Sequence, residues 1–278
     1  RAGLLGLAVN ASGLRTGDMG VEVADFDGDL LPDLVSTHLG SEGMGFWTGS
    51  RNGGFRERAA KAGVVRATMG GTGFGIAVLD LENDGWPDLY LANGDIHRKL
   101  SDARRPDSGP RFEEPDRLLA NRSGRFVEVS ASTPAVFARS EVGRGVATGD
   151  LDNDGDLDLV LTNNGGPARV LLSRASELGP WTGVRLLDAR GLEAVGSEAT
   201  LFCADGRGLW RRSATDGSYA SARDPRIHFG LGGCPDPVRL DVRWPDGTRE
   251  RFDPPPPGEY HEIRQGSGQP DDAASGVS

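Results

Sequence analysis

The stretch GDLDNDGDLDLVL (149–161) sets five carboxylates, Asp150, Asp152, Asp154, Asp156 and Asp158, into nine positions. Like charges this dense repel, and folding brings them closer still. Two relatives occur upstream, VADFDGDLLPDLVST (23–37) and VLDLENDGWPDLYLA (78–92). Aligned on the first acid, each loop carries acids at positions one, three, five and nine. The quartets are Asp25/Asp27/Asp29/Asp33, Asp80/Glu82/Asp84/Asp88 and Asp150/Asp152/Asp154/Asp158. A glycine stands five residues before each, at Gly20, Gly75 and Gly145, and the first acids are 55 and 70 residues apart. Spaced repeats of this size mark a repeated supersecondary unit.

Short aliphatic or β-branched runs flank every loop: VEVA, IAVL and VATG before, LVST, LYLA and LVLT after. Bounded by Gly and Asp, they are expected to be strands. Two further β-like runs around a Gly-containing turn follow in GFWTGSRNGGFRERA (45–59) and RLLANRSGRFVEVSA (117–131). A four-stranded antiparallel blade per repeat results, and blades set side by side make a propeller.

The acids have a chemical use. Calcium takes six to eight hard oxygen ligands in flexible geometry. Carboxylates at positions one, three and five of a tight loop converge, and a glycine at position four or six (Gly28, Gly85, Gly155) lets the backbone turn. A carbonyl near position seven and the Asp at position nine complete the shell. An EF-hand needs Glu at position twelve between helices, whereas position twelve here is Ser36, Leu91 or Leu161 between strands. Asp-Gly and Asn-Gly turns without a metal would explain one loop, but not three copies with the same four acids. The thirteen loop acids account for the net charge of −10 and leave the rest of the chain at about +3. About three Ca2+ ions are expected.

These loops resemble the FG-GAP/VCBS repeats of α-integrin propellers and many secreted bacterial proteins. Downstream, AVGSEATLF (194–202), GSYASARDPRIHFGLGG (217–233) and VRWPDGTRERF (242–252) resemble the ASPIC/UnbV domain of the cartilage acidic protein family and its bacterial relatives. The resemblance covers about residues 15 to 265. It implies a calcium-bound β-propeller, extracytoplasmic (secreted, periplasmic or cell-surface), used for adhesion or binding, with the three quartets as metal ligands and no catalytic site. Two departures stand out. Leu30 occupies a position where the family often has glycine, and about seven blades make a complete ring where three loops are counted.

The expected architecture is all-β: a partial propeller of about three blades over 1–176, a small β-sandwich or barrel-like domain over 177–265, and a disordered tail over 266–278. Strands are expected at 184–187, 199–203, 208–212 and 238–244. Residues 94–117, charged and Pro-containing, form an insertion in the second unit. The first fourteen residues, RAGLLGLAVNASGL, look like the remainder of an earlier repeat, so missing blades or self-association are expected to cover an open end. Cys203 and Cys234 are compatible with a disulfide or with two buried thiols.

No basic patch suits nucleic acid, and no apolar run of about 18 residues can span a membrane. Of four histidines, His38, His97, His228 and His261, none sits in a catalytic motif; His228 in IHFGLG is expected to be a packed strand residue. The expectation is a non-catalytic module for a protein or glycan ligand. The alternative is a calcium-dependent polysaccharide lyase or hydrolase using paired carboxylates, which a cleavage assay on acidic glycans would reveal.

Overall fold

The structure is a computed structural model that describes residues 2–10, 12–96, 112–132, 134–174 and 179–271. The described chain is all-β, with five small sheets in a propeller-like arrangement and one two-stranded ribbon. The first sheet holds β1 (Val21–Ala24), β2 (Asp33–Ser36), β3 (Gly45–Gly49) and β4 (Phe55–Glu57) in sequence order. Then come β5 (Gly73–Leu79), β6 (Asp88–Asn93), β7 (Glu114–Pro115), β8 (Arg117–Asn121) and β9 (Phe126–Glu128), of which β5-β6-β8-β9 form the second sheet. The ribbon pairs β7 with β10 (Ser140–Glu141). The third sheet contains β11 (Gly143–Gly149), β12 (Asp158–Asn163) and β13 (Arg169–Leu171).

Every repeat folds in one register. Ala24 pairs with Asp33, Leu79 with Asp88 and Gly149 with Asp158. The residue before the first acid thus faces the acid at position nine, and each loop spans the eight residues between. Phe26, Phe46 and Phe126 meet edge to face, with centroids 5.6 to 5.9 Å apart, in a core shared by the first two sheets. Two short helices, α2 (Ala59–Ala62) and α3 (Val64–Thr68), close that core with Ala59, Ala62, Val64 and Ala67. A second core, including Leu79, Tyr90, Val146 and Leu161, joins the second and third sheets.

The C-terminal part adds β14 (Trp181–Leu187), β15 (Glu198–Cys203), β16 (Gly208–Arg212), β17 (Ala222–Arg223), β18 (Ile227–Gly230), β19 (Pro237–Arg243), β20 (Arg249–Phe252), β21 (Tyr260–Arg264) and β22 (Gln269–Pro270). The sheets β18-β14-β21 and β16-β15-β19-β20-β22 bury one common core around Leu201, Phe229, Leu240 and Trp244. Cys203 and Cys234 form a disulfide that ties the end of β15 to the turn after β18, which decides between the two readings of those cysteines.

Three expectations change. The count of about three blades covers only sheets that carry an acidic loop; the C-terminal part contributes two more of the five. The first residues are not a strand remnant but a four-residue helix, α1 (Ala2–Leu5). The tail expected from Gly266 begins in the sheet, since β22 pairs with β20; residues 272–278 lie outside the described residues. So does most of the insertion, 97–111, of which the described flanks join through a Gly94–Glu113 bridge.

The largest surprise is what covers the blades. Strands β1, β5 and β11 lie side by side, and β16 abuts β1. β17 adds to the third sheet parallel to β11, with Ala147 opposite Ala222. The segment 217–222 leading into β17 runs along the glycines that precede the loops. A Cβ on Gly20 would overlap Ser218 Oγ and the Phe74 carbonyl, one on Gly75 would lie 2.8 Å from Ser221 Oγ, and one on Gly145 would overlap the Ala220 carbonyl. The three glycines are therefore the floor of a groove that only a chain without side chains there leaves open. Tyr219 packs on Phe74, and Arg223 pairs with the buried Glu22 of β1. The C-terminal part thus supplies a cap that the sequence pattern did not announce.

Candidate metal centres

Each acidic loop is wound by its own carboxylates. The acid at position one accepts backbone N–H bonds from further along the loop. Asp25 takes them from Gly28 (2.8 Å) and Leu30 (3.0 Å), Asp80 from Asp84 (2.9 Å) and Gly85 (2.8 Å), and Asp150 from Asp154 (3.1 Å) and Gly155 (2.9 Å). The acid at position five accepts the N–H at position seven: Leu31 on Asp29, Trp86 on Asp84, Asp156 on Asp154. The turn needs left-handed backbone at positions four and six. Loops two and three use Asn83 and Gly85, then Asn153 and Gly155, while loop one reverses the order with Gly28 and Leu30 (φ 65°). Asparagine tolerates this region and leucine does so at a cost.

The position-nine acid is a clamp as well as a candidate ligand. One oxygen accepts the N–H of position two and the other an N–H from the third strand of the same unit or just beyond it. Asp33 binds Phe26 and Gly49, Asp88 binds Leu81 and Asn121, and Asp158 binds Leu151 and Ser173, all between 2.6 and 2.9 Å. All three are buried, at 0 or 1% exposure. A carboxylate oxygen has two lone pairs, so these bonds leave room for a metal.

Oxygen atoms of Asp25, Asp27 and Asp29 in loop one, and of Asp150, Asp152 and Asp158 in loop three, lie within 4.8 Å of one another. Hard oxygens converging from a tight loop fit a calcium ion. Loop two is drawn differently: Arg122 binds Glu82 at 2.7 Å and approaches Asp84 at 3.9 Å, so Glu82 points to a guanidinium.

Without a metal the packed acids are uncomfortable. Burial raises Asp33 to about 7 and Asp80 to about 6, and pushes Asp88 well above its ordinary value. Burial also raises Asp25, Asp27, Asp84 and Asp150, each with a neighbouring loop carboxylate adding to it. The partial remedy is cationic and comes from the C-terminal part. Arg211 donates to the Gly85 carbonyl at 2.9 Å and faces Asp25 and Asp80. Arg226 donates to the Asp150 carbonyl and to Asn153 Oδ1. Sequence reasoning missed both arginines, because each reaches across at least 70 residues and no local pattern marks it.

All three loops also press against the C-terminal part. Leu30 reaches Gly208, Gly85 meets Leu209 and the Gly230 carbonyl, and a Cβ on Gly155 would overlap the Trp181 indole. The Gly232 N–H binds the Asn83 carbonyl at 2.7 Å. Leu30 is thus a docking contact as well as a departure from the loop pattern.

Among the described histidines no relay is assembled. His38 Nε2 meets both Ser36 Oγ (2.7 Å) and Asp18 (2.6 Å), so serine and acid compete for one nitrogen. His228 is a buried residue of β18 stacked on Trp181, as expected for a packed strand residue. His97 lies outside the described residues.

An FG-GAP-like repeat family model matches residues 25–91, an FG-GAP repeat model residues 142–175, and the ASPIC and UnbV model residues 189–270. No curated protein matches the chain.

Proposed function

The chain carries FG-GAP repeats followed by a C-terminal ASPIC/UnbV domain, and from that premise we propose that it is a calcium-stabilised, non-catalytic binding module that works outside the cytoplasm and holds a protein or glycan ligand. The observation that carries the reading is the threefold loop geometry: the same register, similar backbone clamps and acids at the same four positions, with three of the four acids gathered in loop one (all but Asp33) and in loop three (all but Asp154). The disulfide suits an oxidising compartment. No described helix is long and apolar enough to cross a membrane. The integrin-like character of the repeats supports an adhesive role.

The test is calorimetric titration with calcium. The intact chain should bind about three ions. Asp152 is exposed and belongs to the gathered cluster of loop three, so Asp152→Ala should remove a ligand without disturbing the core, and one site should disappear or weaken at least tenfold. Asp205→Ala, in an exposed turn of the C-terminal part, should leave all sites intact. Equal site numbers and affinities in the three proteins would exclude the ligand assignment.

A further inference from the structure

We infer that the interface between the acidic-loop blades and the C-terminal part holds a binding site for a small free oxyanion. A cavity of about 80 Å³ lies there, walled by β1, β5 and β11 on one side and by β16 and the 223–228 segment on the other. That is several times the space one water needs on the same measure, and enough for a sulfate-sized ion. Four arginines line it: Arg211, Arg212, Arg223 and Arg226.

The carboxylates that share the wall are already spent. Asp224 binds Arg226 Nε and the Arg226 N–H, and Asp80 takes the two loop amides described above. Arg223 pairs with Glu22, Arg226 with Asp224 and Arg212 Nη2 with Asp216, yet part of the donor capacity is left over. Arg212 Nε is buried with no hydrogen-bond partner, and Arg211 donates to the Trp210 and Gly85 carbonyls rather than to a carboxylate. His228, 6% exposed, also lines the cavity; its ring nitrogens make no hydrogen bond of full geometry, and the Gly155 backbone interacts with the imidazole. A buried donor without a partner is costly, so a folded chain rarely leaves one such as Arg212 Nε at a cavity without an occupant. Of the lining groups, the buried atoms without a partner are Arg212 Nε and the His228 ring nitrogens and no carboxylate oxygen, which calls for an acceptor, and Arg favours planar or tetrahedral oxyanions such as carboxylate and sulfate.

The experiment uses the full chain in 1 mM calcium chloride, titrated calorimetrically with sodium sulfate against sodium chloride at matched ionic strength. A saturable sulfate isotherm is expected, weakened at least tenfold in Arg212→Met, which keeps the stem but not the donor. Arg212 is partly exposed, and a circular dichroism spectrum checks that this variant folds. His228→Phe, which preserves the stack on Trp181, should weaken binding as well. A crystal grown with selenate should show its anomalous signal in the cavity. Absence of saturable binding, identical isotherms in wild type and both variants, or selenate bound only elsewhere would overturn the proposal.

Discussion

Chelating calcium is expected to lower the melting temperature by on the order of 10–30 °C relative to 10 mM calcium. Extracellular calcium sites bind at about 0.1–1 mM, so 10 mM stands at about 10 to 100 times the dissociation constant. Each site then adds about 1.4–2.7 kcal/mol, provided the unfolded chain does not bind, and three sites add roughly 4–8. At this chain length 1 kcal/mol moves the midpoint by about 2–4 °C. The pH dependence should distinguish metal from a general salt effect. Asp33 and Asp80 have folded pKa values raised to about 7 and about 6, above their ordinary 3.8. Their contribution is fully present below the ordinary value and is lost as pH rises through the folded one. In chelator the melting point should therefore rise as pH falls from 8 towards 5.5. With calcium the slope should flatten or reverse, because protons then compete with the metal. Superimposed melts in calcium and chelator at every pH would refute the metal reading of all three loops.

The second large effect is expected at Gly155. Its backbone is left-handed (φ 93°), and a Cβ would overlap the Trp181 indole where loop three meets the C-terminal part. Gly155→Ala should cost about 3–5 kcal/mol, the left-handed backbone supplying about 1–2 and the overlap the remainder. Gly206→Ala is the matched control. Gly206 has φ 90° but nothing within 4 Å of its Cβ, so it should cost only the backbone part, about 1–2 kcal/mol. Chemical denaturation of the two variants measures the difference. Equal losses would mean that Trp181 does not bear on the loop, and that the docking of the two parts is looser than described.

What could be read from the sequence was whatever repeats over short range. The loop acids, their flanking strands and the second halves of the first two blades all follow from local spacing, because a β-hairpin carries its own register. Even the glycines Gly20, Gly75 and Gly145 were visible as a repeat signature. Their purpose was not, since it lies in contact with residues 217–222, far along the chain. Arg211 and Arg226 escaped for the same reason: a buried cation opposite an acidic loop leaves no periodic trace. The helices α2 and α3 were missed because two turns of small apolar residues look like a loop until a core packs on them. The blade count fell short because acidic loops mark only the blades that bear them. Loop two carries the motif as faithfully as the others, yet Arg122 diverts Glu82, which a motif read alone cannot foresee.

The groove over those three glycines also governs the order in which the molecule can be completed. The ribosome emits the three acidic-loop blades first, and the segment that seals them follows only after roughly 50 further residues of synthesis, on the order of 3–10 s at usual elongation rates. During that interval the edge of β11 that will receive β17 is unpaired, a condition that invites pairing with another chain. Closure then joins Gly20 to Ser218, one of the longest sequence separations in the fold, and contacts of that range form late. A newly made chain should therefore be most vulnerable to proteases and to mispairing just before its last quarter emerges, and truncations ending before Gly217 should collect in aggregates rather than as stable shortened molecules.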